Sequence, residues 1–267
     1  MPASVAQMRE QFEAARASAG FFDANTWIGP YPGPAFARAE MVDDLLGVLK
    51  SAHTAEALVS HFASLHYSPV EGNRMLLESL EGREGLWAAI ALTPDATGDP
   101  HTGELFEQVM STRVRAVRLF PSSHSFSLQE WMSGPLLRIL EERRLPLILH
   151  HSEQSWSEVR SLCLGHPGLP VVVEGTGKKI LYDNRIFYQL LADCPNFHLE
   201  LHNLTNFMGV EDIVSRFGAE RLIYGSYAPV NEPAAAQMAV THARLREEAK
   251  KNIAGRNLRR MIAGALM

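Results

Sequence analysis

Ionisable side chains gather at the ends of a few short apolar runs, and their types define the chemistry open to this chain. Leu145-Pro146-Leu147-Ile148-Leu149 runs into His150 and His151, and Pro170-Val171-Val172-Val173 runs into Glu174. In Phe197-His198-Leu199-Glu200-Leu201-His202, the alternation of an extended chain puts His198, Glu200 and His202 on one face. Imidazoles and carboxylates that converge from neighbouring strands can exchange protons with a substrate or hold zinc, manganese or iron. They serve equally as the polar, hydrogen-bonded lining of a cavity. His150 and Glu174 are the candidate catalytic acid–base pair, with His202 or Glu200 in support. Alternation sends His150 and His151 to opposite faces, so one of the two points inward. Arg118, in Ala116-Val117-Arg118-Leu119-Phe120-Pro121, offers a planar fork for a substrate carboxylate, or an ion pair with Glu174 or Asp23.

Other motifs carry less. Gly175-Thr176-Gly177-Lys178-Lys179 lacks the Walker spacing of a phosphate loop, and Ser226 in Gly-Ser-Tyr is not a Gly-x-Ser-x-Gly elbow. His124, in the loop Phe120 to Ser125, reads as a surface histidine.

The segments that must position these groups alternate between strand and helix. Gly20 to Gly29 reads as a first strand stopped by Gly29-Pro30, with Asp23, Asn25 and Trp27 on one face. The stiff loop Gly29-Pro30-Tyr31-Pro32-Gly33-Pro34 follows it. Ala57 to Ser60 and Leu86 to Leu92 are the second and third strands, and Ala116 to Pro121 is the fourth. Leu145 to His151, Pro170 to Glu174, Phe197 to His202 and Arg221 to Ser226 complete a set of eight. Helical spacing falls between them: Met41 to Leu49, Asn73 to Leu80, Leu105 to Met110, and Leu128 to Arg144 with a kink or broken start at Gly134-Pro135. Glu232 to Glu248 and Asn257 to Leu266 supply closing helices. The expected architecture is α/β: a lead-in helix within residues 1–19, then a single (β/α)8 barrel over residues 20–267.

Composition narrows the function classes. The 267 residues carry a net charge of -5, with no clustered basic stripe of the kind nucleic acid requires. No apolar run reaches the length of a membrane span, and Arg9, Glu10, Glu13 and Arg16 break any signal-like segment. The two cysteines, Cys163 and Cys194, have no CxxC spacing, fall in predicted helices and make a reducing cytoplasm the default location.

Four signatures in order carry a family resemblance: Phe22-Asp23-Ala24-Asn25, Leu145 to His150, Arg221-Leu222-Ile223-Tyr224-Gly225-Ser226-Tyr227-Ala228-Pro229, and Ile253-Ala254-Gly255-Arg256-Asn257-Leu258-Arg259-Arg260. Together they resemble the amidohydrolase superfamily, specifically its amidohydrolase-related group, over nearly the whole chain. The resemblance implies a barrel whose metal is held by two histidines of strand one, histidines of strands five and six, and an aspartate of strand eight. That metal activates a bound water, and the aspartate takes its proton. Here the corresponding residues are Asn25, Trp27, His150, Gly175 and Tyr227. A neutral amide is a poor zinc ligand, an indole cannot ligate, and a phenol is a weak base at neutral pH.

The expectation is therefore an amidohydrolase-like barrel without a metal at the inherited site and without a cofactor. A small-molecule pocket remains, formed by Asn25, Trp27, Arg118, Glu200, His202 and Tyr227, for a small organic ligand, anionic or planar. The alternative is an active hydrolase or decarboxylase, using one divalent metal relocated to His150, Glu174 and His202, or metal-free acid–base chemistry. No nucleic-acid or membrane partner is expected, and a homo-oligomer is left open.

Overall fold

The computed structural model describes residues 4–94, 113–175, 185–204 and 206–265. The expected helix Leu105 to Met110 and the stretch Thr176 to Lys179 lie outside the described residues.

A helix, Val5–Ala19, leads in. Ser4 and Gln7 form its capping box, and Gly20, in the left-handed region at φ 69°, ends it where only glycine is free of steric cost. The chain then enters β1 (Phe21–Ile28), followed by β2 (Thr54–His61), β3 (Leu86–Ala91), β4 (Val114–Leu119), β5 (Leu147–His150), β6 (Val171–Glu174), β7 (Phe197–Glu200) and β8 (Leu222–Ile223). The strands form one sheet in sequence order, each parallel to the next. A parallel bridge between Thr26 and Ala228, with Ala24 N–H to Tyr224 O at 3.1 Å and Trp27 N–H to Ala228 O at 2.8 Å, closes the last strand onto the first. This is the single (β/α)8 barrel. Its outer core is sealed by apolar side chains such as Leu45, Leu140 and Phe187. No helix among the described residues is long and apolar enough to cross a membrane.

Some boundaries differ from the sequence reading. The strand expected over Arg221 to Ser226 pairs with β7 only at Leu222 and Ile223; beyond them Tyr224 and Ala228 bond to β1, and Tyr227 between them takes a left-handed φ of 59°. The closing helix expected over Glu232 to Glu248 is two, Pro233–Thr241 and Glu247–Lys251, the second running through a π turn into Asn257–Ala263. Gly134 and Pro135 sit inside an unbroken helix, Glu130–Glu142. Cys194 falls just past the helix Arg185–Asp193, buried like Cys163.

The barrel interior is layered. Leu58, Ala89, Ala116, Ile148, Val172 and Ile223, one from each of six strands, pack with Phe22 and Ala24 into an apolar floor. Two residues further along β4, β5 and β6 come Arg118, His150 and Glu174, which the period of a strand returns to the same interior one layer higher. β1 reaches this layer by a bulge. Asp23 pairs with Ala57 and Thr26 with Val59, so three steps on β1 oppose two on β2. The inward set changes from Phe22 and Ala24 to Asn25 and Trp27. Asp23, whose partner Ala57 belongs to the outer core, does not share their face, contrary to uninterrupted alternation.

Candidate active site

The polar layer is a connected network. The Arg118 guanidinium is fully buried, and its Nη1 donates to Glu174 Oε1 at 2.6 Å. Its Nη2 donates to Asn25 Oδ1 at 3.3 Å, and its plane lies 4.7 Å over the Trp27 ring. Trp27 Nε1 donates to the same Asn25 oxygen at 2.8 Å. Of the two partners the sequence offered Arg118, Glu174 is the one it pairs with. Burial alone pushes the Glu174 carboxyl upward, but the charges of Arg118 and His150 outweigh this and hold it below the usual range.

On β7, Glu200 Oε1 accepts the His202 backbone N–H at 2.7 Å, and Oε2 takes the His202 Nδ1 proton in a very short contact. Burial would lower the His202 pKa, yet the Glu200 charge and this hydrogen bond raise it overall. His198, expected on the same face, stays a layer below, bonded to Asn196 O at 3.1 Å and outside the cluster. Tyr227 stacks on His202 with ring centroids 5.3 Å apart and meets the Trp27 ring edge-on at 6.3 Å. Trp27 in turn stacks on Phe62, and Tyr31 covers Phe62. An aromatic plug thus fills the space between β1, β2 and β8.

Gly175, just past β6, lies in the left-handed region at φ 69°. A side chain there would start 3.1 Å from His151 Nδ1, 3.1 Å from His202 Cε1 and 3.3 Å from His150 Nε2. Three imidazoles therefore close around this glycine and leave little room even for a methyl group. His150 and His151 both reach it, because β5 ends at His150 and alternation no longer applies one residue on. Their ring centroids are 4.6 Å apart. Burial lowers the pKa of both, that of His151 to about 4. His150 Nδ1 lies 2.7 Å from Ser152 Oγ and accepts the Ser152 backbone N–H at 3.3 Å, which turns Nε2 toward Gly175. The resemblance had marked Gly175 only as a lost ligand position, and alternation had allowed just one of His150 and His151 inside. The other candidate residues, Asn25, Trp27, Arg118, His150, Glu174, Glu200, His202 and Tyr227, all meet at this end of the barrel. A cavity of about 660 Å³ opens on His202 from the side, walled by Leu204, Phe207 and Ala236.

A parallel barrel with its ionisable residues at the C-terminal strand ends has the architecture on which barrel enzymes build their active sites. The amidohydrolase family model matches residues 22–262, and the chain belongs to that family. No curated protein sequence matches it. Among solved structures, it is similar to 2,6-dihydroxybenzoate decarboxylase complexed with 2,6-dihydroxybenzoate (TM-score 0.68, 15% identity, 91% of this chain and 98% of that one). It is also similar to a dihydroxybenzoic acid decarboxylase from Polaromonas with bound manganese and the inhibitor 2-nitroresorcinol (TM-score 0.67, 13% identity, 91% and 97%). An amidohydrolase from Burkholderia multivorans with bound zinc is similar to the same degree (TM-score 0.66, 15% identity, 91% and 99%).

Manganese and zinc in these structures overturn the expectation of no cofactor: the family uses a divalent metal. The donor set of this chain at the corresponding positions is a separate matter. Asn25 Oδ1 already accepts from Arg118 and Trp27, Gly175 offers no donor, and a guanidinium lies among these residues. For the relocated set, Glu174 Oε1 is held by Arg118 while Oε2 has no partner, and Glu200 on His202 Nδ1 leaves Nε2 uncommitted. Among the described residues, no group of three or more His, Cys, Asp or Glu is placed to hold a metal ion. The inherited positions Asn25, Trp27, Gly175 and Tyr227 therefore do not fit a divalent ion.

Proposed function

We propose that this protein is an amidohydrolase-type lyase that decarboxylates a small organic acid bound beside His202 at the C-terminal end of the barrel. One observation carries the reading: two imidazoles with opposed proton affinity, His150 lowered and His202 raised, stand together beside Gly175 at the C-terminal end of the barrel.

The roles follow from the hydrogen bonds. Glu200 holds the Nδ1 proton of His202, so Nε2 is the atom that gives a proton to the substrate and is recharged from solvent. His150 presents Nε2–H as a neutral donor to a substrate oxygen. Protonation of the carboxylated carbon by His202 lets the carbon–carbon bond break, its electron pair returning to the organic framework as carbon dioxide leaves. Arg118 and Glu174, buried beneath, fix Asn25 and the charge of the floor. This moves the proton-transfer role from the expected pair His150 and Glu174 to His202 with Glu200, since Glu174 is committed to Arg118. The similarity to dihydroxybenzoate decarboxylases supports a hydroxylated aromatic acid as the first substrate class to try.

The test is carbon dioxide release from 2,6-dihydroxybenzoate and related acids, with and without added manganese or zinc. His202→Gln should lower turnover by roughly a hundred-fold or more. Turnover unchanged in His202→Gln refutes the assignment. Tight binding of these acids without turnover would instead make the protein a binding member of the family.

A further inference from the structure

Asp23 has no part in the chemistry above, yet it is fully buried at the seam where β8 returns to β1. The two strands share no continuous ladder there, and the Asp23 carboxylate stands in for one. Its Oδ1 accepts the Asn25 N–H at 3.0 Å, which satisfies the backbone of the bulge that turns Asn25 into the barrel. The same oxygen accepts the Ser226 N–H at 2.9 Å, fixing the residue before Tyr227. Tyr227 sits at φ 59°, a region that a side chain with a Cβ adopts only when its surroundings hold it there. Oδ2 is buried with no partner, a cost that a fold maintains only for a reason.

We propose that Asp23 is a positioning residue: one carboxylate oxygen, shared by the N–H groups of Asn25 and Ser226, holds Asn25 under Arg118 and the Tyr227 ring on His202. Without that acceptor the Ser226 N–H loses its partner, and Tyr227 relaxes out of the left-handed region. Its ring then leaves the imidazole, which becomes open to solvent. The inference rests on the reading that His202 is the reacting group, but it concerns geometry and is tested without turnover.

The experiment is histidine nitrogen-15 NMR across pH on the full chain, for the wild type, Asp23→Asn, Asp23→Ala and, as reference for an absent ring, Tyr227→Leu. In the wild type the Tyr227 ring current shifts the His202 signals. Asp23→Ala should lose that shift and coincide in it with Tyr227→Leu. Asp23→Asn keeps an oxygen that accepts the same two N–H groups and should retain the shift. An unchanged shift in Asp23→Ala overturns the proposal. If Asp23→Ala does not fold, Asp23→Asn decides alone, because loss of the shift there contradicts the shared-oxygen account. Should His202→Gln spare turnover while Asp23→Ala still frees Tyr227, the reaction fails and the positioning role stands.

Discussion

Replacing Arg118 with methionine would expose what holds the floor of the site together. Arg118 and Glu174 form a buried ion pair, each side chain only 1% exposed. Methionine fills a similar volume and keeps apolar contact with Trp27, so the main change is a carboxylate left in a dry interior without its cation. Breaking a buried pair from one side costs about 3–5 kcal/mol, and at roughly 2–4 °C per kcal/mol the melting temperature should fall by about 10 °C. The loss must also depend on pH. In the wild type the Glu174 pKa lies below its usual 4.5, so its contribution to stability is full above about 4.5 and is lost as pH falls through the lower, folded value. In Arg118→Met, burial acts with most of its opposition removed. The folded pKa rises above the unfolded one, and ionising Glu174 destabilises the variant at neutral pH. The difference between the two proteins in urea denaturation should therefore be largest near pH 7 and shrink toward pH 4. Arg118→Met/Glu174→Gln, with a neutral amide in place of the orphaned charge, should recover part of the stability at pH 7. A cost below about 1 kcal/mol, or one that does not change between pH 7 and pH 4, would refute the argument that the pair is a buried, mutually dependent charge.

Three further outcomes follow from the same geometry. Gly175→Ala should cost about 1–2 kcal/mol through its left-handed backbone and should crowd His150, His151 and His202, which calorimetry and the histidine NMR spectrum would report. In a wild-type NMR titration, His202 should titrate above the usual 6.5, and His150 and His151 below it, His151 near 4. Because the His202 pKa is raised on folding, its contribution to stability is full below about 6.5 and disappears as pH rises through the folded value. His202→Gln should then destabilise the chain more at pH 6 than at pH 9, read by denaturant melts.

Much of this protein was determined by sequence alone. Eight short apolar runs alternating with helical spacing specify a parallel barrel, because strands buried on both faces and helices amphipathic on one can satisfy both patterns in that arrangement. The same periodicity placed Arg118, Glu174, Glu200 and His202 at the strand ends, and the family signatures named the positions Asn25, Trp27, Gly175 and Tyr227. What the tertiary structure decided is which of these groups touch. Alternation is a property of one strand and says nothing of partners from other strands, so the pairing of Arg118 with Glu174 and of Glu200 with His202 was open until the barrel closed. It also fails where a strand is irregular. The bulge after Asp23 changes which face of β1 looks inward, and the end of β5 at His150 lets His151 join it around Gly175. The role of Asp23 depends on the β8 backbone, 203 residues away in sequence, reaching the β1 seam, a proximity that no local pattern encodes.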